Sequence, residues 1–379
     1  MQYRNFGRLD WKVSALGFGC MRFPTIDGQR SSPIEDVEAT RMVRHAIDCG
    51  VNYLDTAYVY HEGRSESFLG AALRDGYREK VRLATKLPLW FVNGPEDFDR
   101  LLNEQLQRLQ TDSIDFYLFH ALDKNRWRNV VLRHGLLEKA RAAQQDGRIR
   151  HIGFSMHDDY ACFEEIVHGS DLWEFCQIQY NYMDVENQAG IRGLQLAASR
   201  GLAVIIMEPL LGGRLAAPPK DICADMESVV PGRKAADWAL QWLWDQPEVS
   251  LVLSGMSTMS QVEENLLSAS AARIGSFTPE EHALIARARA MYKARTVIAC
   301  TKCGYCMPCP AGVNIPGAFE VFNHAHLYED LEDARFRYQI FLPEAQRADR
   351  CVACGACEEA CPQSLPVSEW MPKVTALLA

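Results

Sequence analysis

Eight of the chain's thirteen cysteines fall within residues 300–379, at regular spacing. The first run is Cys300-x2-Cys303-x2-Cys306-x2-Cys309-Pro310, and the second is Cys351-x2-Cys354-x2-Cys357-x3-Cys361-Pro362. Three thiolates spaced by three wrap a loop around one face of a cubane iron–sulfur cluster. So short a loop cannot reach the far iron, and the fourth ligand must come from elsewhere. The proline ends the loop and redirects the chain. C-x2-C steps also suit zinc, but three consecutive steps in the first run and two followed by a C-x3-C step in the second, each run closing on Cys-Pro, point to two [4Fe–4S] clusters. The other cysteines, Cys20, Cys49, Cys162, Cys176 and Cys223, are scattered. In a reducing compartment, clustered thiols argue for metal rather than disulfides.

A second group lies in the first third of the chain: Asp55, Tyr60, Lys86 and His120. Each alone has a plain structural role, as a cap, a solvated cation or a satisfied core histidine. Together they suit carbonyl reduction, which needs a proton on oxygen as hydride reaches carbon. A phenol of pKa ~10 is a poor acid–base group near neutrality unless a cation stabilises its phenolate. Lys86 is the candidate cation, Asp55 the group that keeps it charged, and His120 the group that orients the oxygen and shares in proton transfer.

These residues need a scaffold. Short apolar runs at 14–19, 53–55, 81–86, 114–120, 149–155, 175–180, 202–207 and 250–254 alternate with amphipathic helical stretches. Eight βα units in roughly 250 residues predict a closed (β/α)8 barrel, with Asp55, Lys86 and His120 at the C-terminal strand ends where such barrels hold their sites. No G-x-G-x-x-G opens a helix after the first strand, which counts against a Rossmann domain. Residues 3–13, centred on Gly7, read as a hairpin that plugs the barrel bottom. Thr278 and Pro279 cap a further helix. The predicted organisation is a barrel over 1–275, a linking helix over 276–298, and a small ferredoxin-like iron–sulfur domain over 299–379. Helices at 316–328 and 330–340 would separate the two cysteine runs. The net charge of −9 offers nothing to a nucleic-acid backbone. The first eleven residues lack a cationic start followed by an apolar stretch, and the most apolar run, 202–211, is too short to span a bilayer. A cytoplasmic protein is expected.

The second cysteine run matches the pattern of bacterial two-cluster ferredoxins, in which the Cys-Pro cysteine of each run serves the other cluster. That resemblance pairs Cys300, Cys303, Cys306 and Cys361 on one cluster, and Cys351, Cys354, Cys357 and Cys309 on the other. The first run departs in its last gap, of two residues rather than three. Over residues 1–270 the chain resembles the aldo/keto reductase family, in the subgroup with a C-terminal ferredoxin-like domain. The matching stretches are Gly50-Val-Asn-Tyr-Leu-Asp-Thr-Ala, Ser65-Glu-Ser-Phe-Leu-Gly70, Gly147-Arg-Ile-Arg-His-Ile-Gly-Phe-Ser155, Gln177-Ile-Gln-Tyr-Asn181 and Val262-Glu-Glu-Asn-Leu266.

The resemblance implies an enzyme that uses NADP(H) or NAD(H), with Asp55, Tyr60, Lys86 and His120 as its catalytic tetrad. It implies that Ser155 and Gln179 hold the nicotinamide carboxamide, and that Glu264 and Asn265 contact adenine. By their own chemistry Gly212, Gly213 and Arg214 suit either a wrap around the pyrophosphate or an ordinary flexible connection, and Ser254, Gly255 and Gln261 would lie near the adenosine end. Met156, Met207, Gly255 and Gln261 depart from the family's usual residues, and the last two replace basic groups that clamp a 2′-phosphate. The expected reaction is reduction of an aldehyde or ketone, or oxidation of the alcohol, with the clusters relaying electrons or sensing redox state. The alternative is an electron-transfer protein whose barrel does not turn over nicotinamide. A small-molecule substrate and a redox partner protein are the expected partners. Rim loops 87–95, 121–133 and 216–230, with Trp90, Phe91 and Trp127, would set substrate choice.

Overall fold

The computed structural model describes all residues except Gln29, Arg30, Ser31, Thr301, Cys303 and Pro362. Eight parallel strands close into a barrel: β3 (Leu16–Gly19), β4 (Tyr53–Asp55), β5 (Arg82–Leu87), β6 (Ile114–Leu122), β7 (Ile149–Met156), β8 (Phe175–Gln179), β9 (Ala203–Met207) and β10 (Val249–Gly255), with β10 pairing back onto β3. Two short strands precede them, β1 (Tyr3–Phe6) and β2 (Leu9–Ser14), paired antiparallel. This is the expected hairpin. Its Phe6 and Val13 join Tyr53, Phe116, Phe175 and Leu251 in one buried cluster inside the barrel. Gly7 turns the hairpin with φ +54°, and a Cβ there would strike the backbone of 201–203. The hairpin seals the floor because glycine lets its turn lie flat against β9.

Side chains alternate between the two faces of a strand. The inward positions are Tyr53 on β4, Ala84 on β5, Leu118 on β6, Phe175 on β8, Ile205 on β9 and Leu253 on β10. Two residues further toward the rim stand Asp55, Lys86, His120, Gln177, Met207 and Gly255. The apolar plug and the polar rim are thus consecutive layers of one pattern. The outward faces, including Leu54, Leu83, Tyr117, Phe119 and Ile152, form a separate core under the surrounding helices.

Two compact units emerge: Met1–Ala216 with Ala236–Phe277, and Ala217–Ala235 with Thr278–Ala379. The helix Lys220–Val229, inserted after β9, therefore groups with the C-terminal unit. The helix buries Ile222 and Met226, and its segment is also tied by ion pairs: Asp225 meets Arg287 at 3.0 Å, Asp221 meets Arg295 at 2.6 Å, and Arg233 meets Glu281 at 2.6 Å. The helix Pro279–Lys293 opens on a Thr278/Glu281 capping box with proline in its first turn. Helices Ile315–Tyr328 and Leu331–Phe341 separate the two cysteine runs. The second unit has its own core, in which Phe319, Phe322, Tyr338, Met371 and Val374 are buried. No helix of the described residues is long and apolar enough to cross a membrane.

Candidate active site and iron–sulfur ligands

At the barrel rim the Lys86 ammonium donates three hydrogen bonds, to Asp55 Oδ1 at 2.6 Å, to the Thr56 carbonyl at 2.8 Å and to the Tyr60 hydroxyl at 3.2 Å. Parallel pairing sets Asp55 opposite Ala84, two residues before Lys86, and Lys86 opposite Leu118, two residues before His120. Tyr60 comes from the loop after β4, where turns at His61, Glu62 and Gly63, all with positive φ, fold the chain back over the strand end. The Tyr60 and His120 rings meet edge to face with centroids 6.2 Å apart. The four expected residues converge on one point.

The bracing lies outside the barrel wall. Glu66 is buried and accepts from Thr85 Oγ1 at 2.6 Å and from Gln105 Nε2 at 2.7 Å. Gln105 also donates to the Lys86 carbonyl at 3.0 Å and accepts from the Tyr117 hydroxyl at 2.8 Å. The Thr56 and Ser65 hydroxyls bond each other at 2.8 Å, and Ser65 donates to the Cys20 carbonyl at 3.0 Å. Satisfied networks of this kind make an interior rigid. Glu66 and Gln105 escaped the sequence reading as functional residues. A charged residue in a helix's buried face was the available signal.

Electrostatics give each group a resting state. Burial works against the Lys86 ammonium, but Asp55 and Tyr60 outweigh it and its pKa stands above the ordinary lysine value. Burial raises the Asp55 carboxyl, against the pull of Lys86. Burial also raises Tyr60, and Lys86 offsets this only in part. The acidifying effect expected of Lys86 is present, but in the resting site burial is the larger effect, so Tyr60 is a protonated phenol. His120 lies well below the ordinary histidine value, through burial first and then the nearby charge of Lys86. It is neutral, and its Nδ1 is buried without a hydrogen-bond partner among the described residues.

The expected cofactor contacts occupy the same rim and the strand ends beside it. Ser155 Oγ accepts from the Ala121 amide at 2.8 Å. Gln179 is held at both ends, donating to Asp184 at 2.7 Å and accepting from Asn187 at 3.3 Å. Gly212 and Gly213 have φ of 73° and 106°, and Arg214 beside them is buried. Ser254 Oγ accepts from Asn265 at 3.0 Å. Gln261 accepts from the Ser257 amide at 2.8 Å, and its own amide is capped by Thr258. Gln261, which stands where the family's usual residue is basic, is thus engaged at the start of the helix Met259–Ser270. Glu264 accepts from Ser260 at 3.1 Å. Gly255 is exposed, and a Cβ there would press on the Arg22 side chain. The orphaned His120 Nδ1 and Gln177 Oε1 fit a polar ligand seated at the barrel mouth.

In the second unit the residues that flank the second cysteine of each run share one backbone feature. The residue before the second cysteine and the glycine after it have positive φ in both: Lys302 and Gly304 at 57° and 76°, Ala353 and Gly355 at 52° and 78°. Cys300, Cys306 and Cys361 line one cavity with Phe319, Leu365 and Val367. The last cysteine of the second run thus joins the first run, as the cross-pairing requires. Cys303 lies outside the described residues. Burial raises the Cys357 thiol, and Glu358, Cys351 and Cys309 add to the effect, so Cys309 sits near the second run. Its shorter gap has a local reason: Ala356–Glu359 form a helical turn before Cys361, with no counterpart before Cys309. The Ala353 amide donates to Cys351 sulfur at 3.4 Å, a contact of the kind that tunes cluster potentials. Cys300, Cys306, Cys309, Cys351 and Cys357 pack against the unit's apolar core. Soft sulfur donors beside an apolar core have the chemistry that iron–sulfur clusters take as ligands, and among the described residues no three of them close on one metal position.

A closed (β/α)8 barrel with a lysine-centred rim site, followed by a cysteine-rich unit, defines an oxidoreductase with an iron–sulfur domain. The aldo/keto reductase family profile matches residues 15–290, and a 4Fe-4S dicluster domain profile matches residues 299–365. The chain belongs to the aldo/keto reductase family. It is 27% identical over 306 residues to the uncharacterized oxidoreductase YqkF of Bacillus subtilis, covering 72% of this chain and 93% of that protein. It is 28% identical over 286 residues to L-galactose dehydrogenase of Arabidopsis thaliana, covering 70% and 87%. Among solved structures it resembles the holo form of aldo-keto reductase AKR11C1 from Bacillus halodurans, with TM-score 0.63, 27% identity, and 76% and 96% of the two chains covered. It also resembles the thermostable aldo-keto reductase Tm1743 in complex with epalrestat, with TM-score 0.63, 26% identity, and 76% and 100% covered.

Proposed function

We propose that the protein reduces an aldehyde or ketone, or oxidises the corresponding alcohol, at Asp55, Tyr60, Lys86 and His120, with NADP(H) or NAD(H). The observation that carries this reading is the Lys86 ammonium bonded to both Asp55 and Tyr60 at the barrel rim. A bound reduced nicotinamide supplies hydride to the carbonyl carbon. Tyr60, protonated at rest, donates its proton to the carbonyl oxygen. Lys86 stabilises the phenolate that remains, and Asp55 holds Lys86 charged and aimed. Neutral His120 donates a hydrogen bond that orients the oxygen. Ser155 and Gln179, at strand ends, would hold the ring's amide, and Glu264 and Asn265 would contact the adenine. Gly212 and Gly213 allow close approach of a pyrophosphate to their backbone, and Arg214 adds charge.

In the same reading the C-terminal unit carries two [4Fe–4S] clusters, one on Cys300, Cys303, Cys306 and Cys361, the other on Cys351, Cys354, Cys357 and Cys309. Such clusters pass one electron at a time, which suits electron relay to a partner or redox sensing. The deciding experiment is anaerobic kinetics of Tyr60→Phe with both nicotinamides. The expected loss in kcat/KM for carbonyl reduction is about 10²–10⁴-fold, with nicotinamide binding retained. Unchanged turnover would refute the tetrad.

A further inference from the structure

We propose that Arg126 makes the barrel mouth selective for carbonyl substrates that bear a carboxylate, with Trp90 and Phe91 covering the aromatic or apolar body between the two groups. The proposal rests on Tyr60 and Lys86 being the reaction centre. A chain of rings leads outward from that centre. The His120 ring lies 6.2 Å from Tyr60 and 4.9 Å from Trp90, and the Arg126 guanidinium carbon stands over the Trp90 ring at 5.7 Å. Trp90 and Phe91 are 40% and 44% exposed and their rings are 6.1 Å apart. Large aromatic faces left open beside a reaction centre are surfaces for a ligand to cover.

Arg126 is held so that part of its donor set is spare. One nitrogen, Nη1, donates to the Ala121 carbonyl at 2.9 Å and to Asp123 at 2.6 Å. Asp123 also caps the Arg126 amide at 2.7 Å. Nε and Nη2 make no hydrogen bond within the described residues. A guanidinium is a planar fork that matches a carboxylate in bidentate fashion, and its fixed partners occupy one tine. Asp123 offsets part of the charge and sets the direction. The backbone is shaped around this residue. Ala121 adopts φ 51°, costly for a residue with a side chain. Directly after Arg126 the helix widens into a π-turn, Trp127–Leu132, a form frequent at functional sites. Trp127 anchors that turn: it is buried, with its ring 6.1 Å from Trp173.

The test uses the full-length protein prepared without oxygen, with 4-carboxybenzaldehyde and its methyl ester, which differ in charge and little in shape. The expected kcat/KM favours the acid by about tenfold or more, mainly through KM. In Arg126→Gln that preference falls by about tenfold, and Arg126→Lys keeps part of it. Equal turnover of acid and ester by the native protein, or an unchanged preference in Arg126→Gln, overturns the proposal. If the native protein reduces neither aldehyde, the reaction-centre reading fails instead. Calorimetric binding of 4-carboxybenzyl alcohol then still decides the role of Arg126: weaker binding in Arg126→Gln supports it, and equal binding overturns it.

Discussion

Lys86 is 1% exposed and pairs with a carboxylate that is 3% exposed. Breaking a buried pair costs more than the pair contributes, because the survivor is left charged and dry. Lys86→Met should therefore lose carbonyl reduction and also destabilise the fold by about 3–5 kcal/mol, read from denaturant midpoints. Lys86→Met with Asp55→Asn should regain most of the stability and none of the activity. If stability does not return, the loss in the single variant lies elsewhere. The pH dependence follows from directions already fixed. Tyr60 is raised, so its proton stays available across neutral pH, and the reduction rate should fall only above the ordinary tyrosine range of ~10. His120 is depressed, so below ~6.5 the unfolded chain takes a proton that the folded chain refuses, and stability falls with pH. His120→Gln should flatten that acid-side slope in a denaturation series. The convergence of Asp55, Tyr60, Lys86 and His120 was legible because three of them fall at strand ends and the fourth in the loop after one, in types that suit a single chemical task. Arg126 was not. It is one of many loop arginines, and only the ring contacts and the two bonds on Nη1 single it out.

At the scale of elements, strand alternation does two jobs, building the apolar floor and placing polar groups one layer above it. Phe6 is fully buried at that floor, with the Trp11, Tyr53, Phe116 and Phe175 rings 4.8–6.0 Å away. Phe6→Ala should cost about 3–5 kcal/mol by opening a cavity, while kcat/KM of the remaining folded enzyme stays near native. A loss of activity greater than the folded fraction explains would mean that the plug also shapes the rim. The eight strands were readable because each is a short apolar run flanked by a helical pattern. The hairpin was readable from Gly7 between two alternating segments. The allegiance of Lys220–Val229 was not, since its buried Ile222 and Met226 and its ion pairs to Arg287 and Arg295 are long-range features that no local pattern announces. Trp127, offered by its rim loop as a pocket residue and by its type as a core residue, is core, 1% exposed beside Trp173, and Trp90 and Phe91 are the open pair.

At the scale of the whole molecule, two kinds of redox chemistry share one chain. Hydride moves as an electron pair, whereas an iron–sulfur cluster moves single electrons, and direct exchange between them is awkward. The barrel holds every side chain that the proposed proton transfer uses, and none is a cysteine. Carbonyl reduction should therefore survive bleaching of the clusters by air. Transfer to an artificial one-electron acceptor should disappear with the absorbance near ~400 nm, and the proposed pair of clusters predicts about eight irons per chain before bleaching. Cys300, Cys306, Cys309, Cys351 and Cys357 pack on the core of the second unit, and a unit built around its metal draws folding energy from that metal. Bleaching should then also raise amide hydrogen exchange across Ile315–Tyr328 and Val367–Leu378, while β4, β5 and β6 stay protected. A carbonyl-reducing rate that declines in step with iron loss, with exchange in the barrel strands unchanged, would place the clusters inside the catalytic cycle. The two-electron step at Tyr60 would then no longer suffice to describe the reaction.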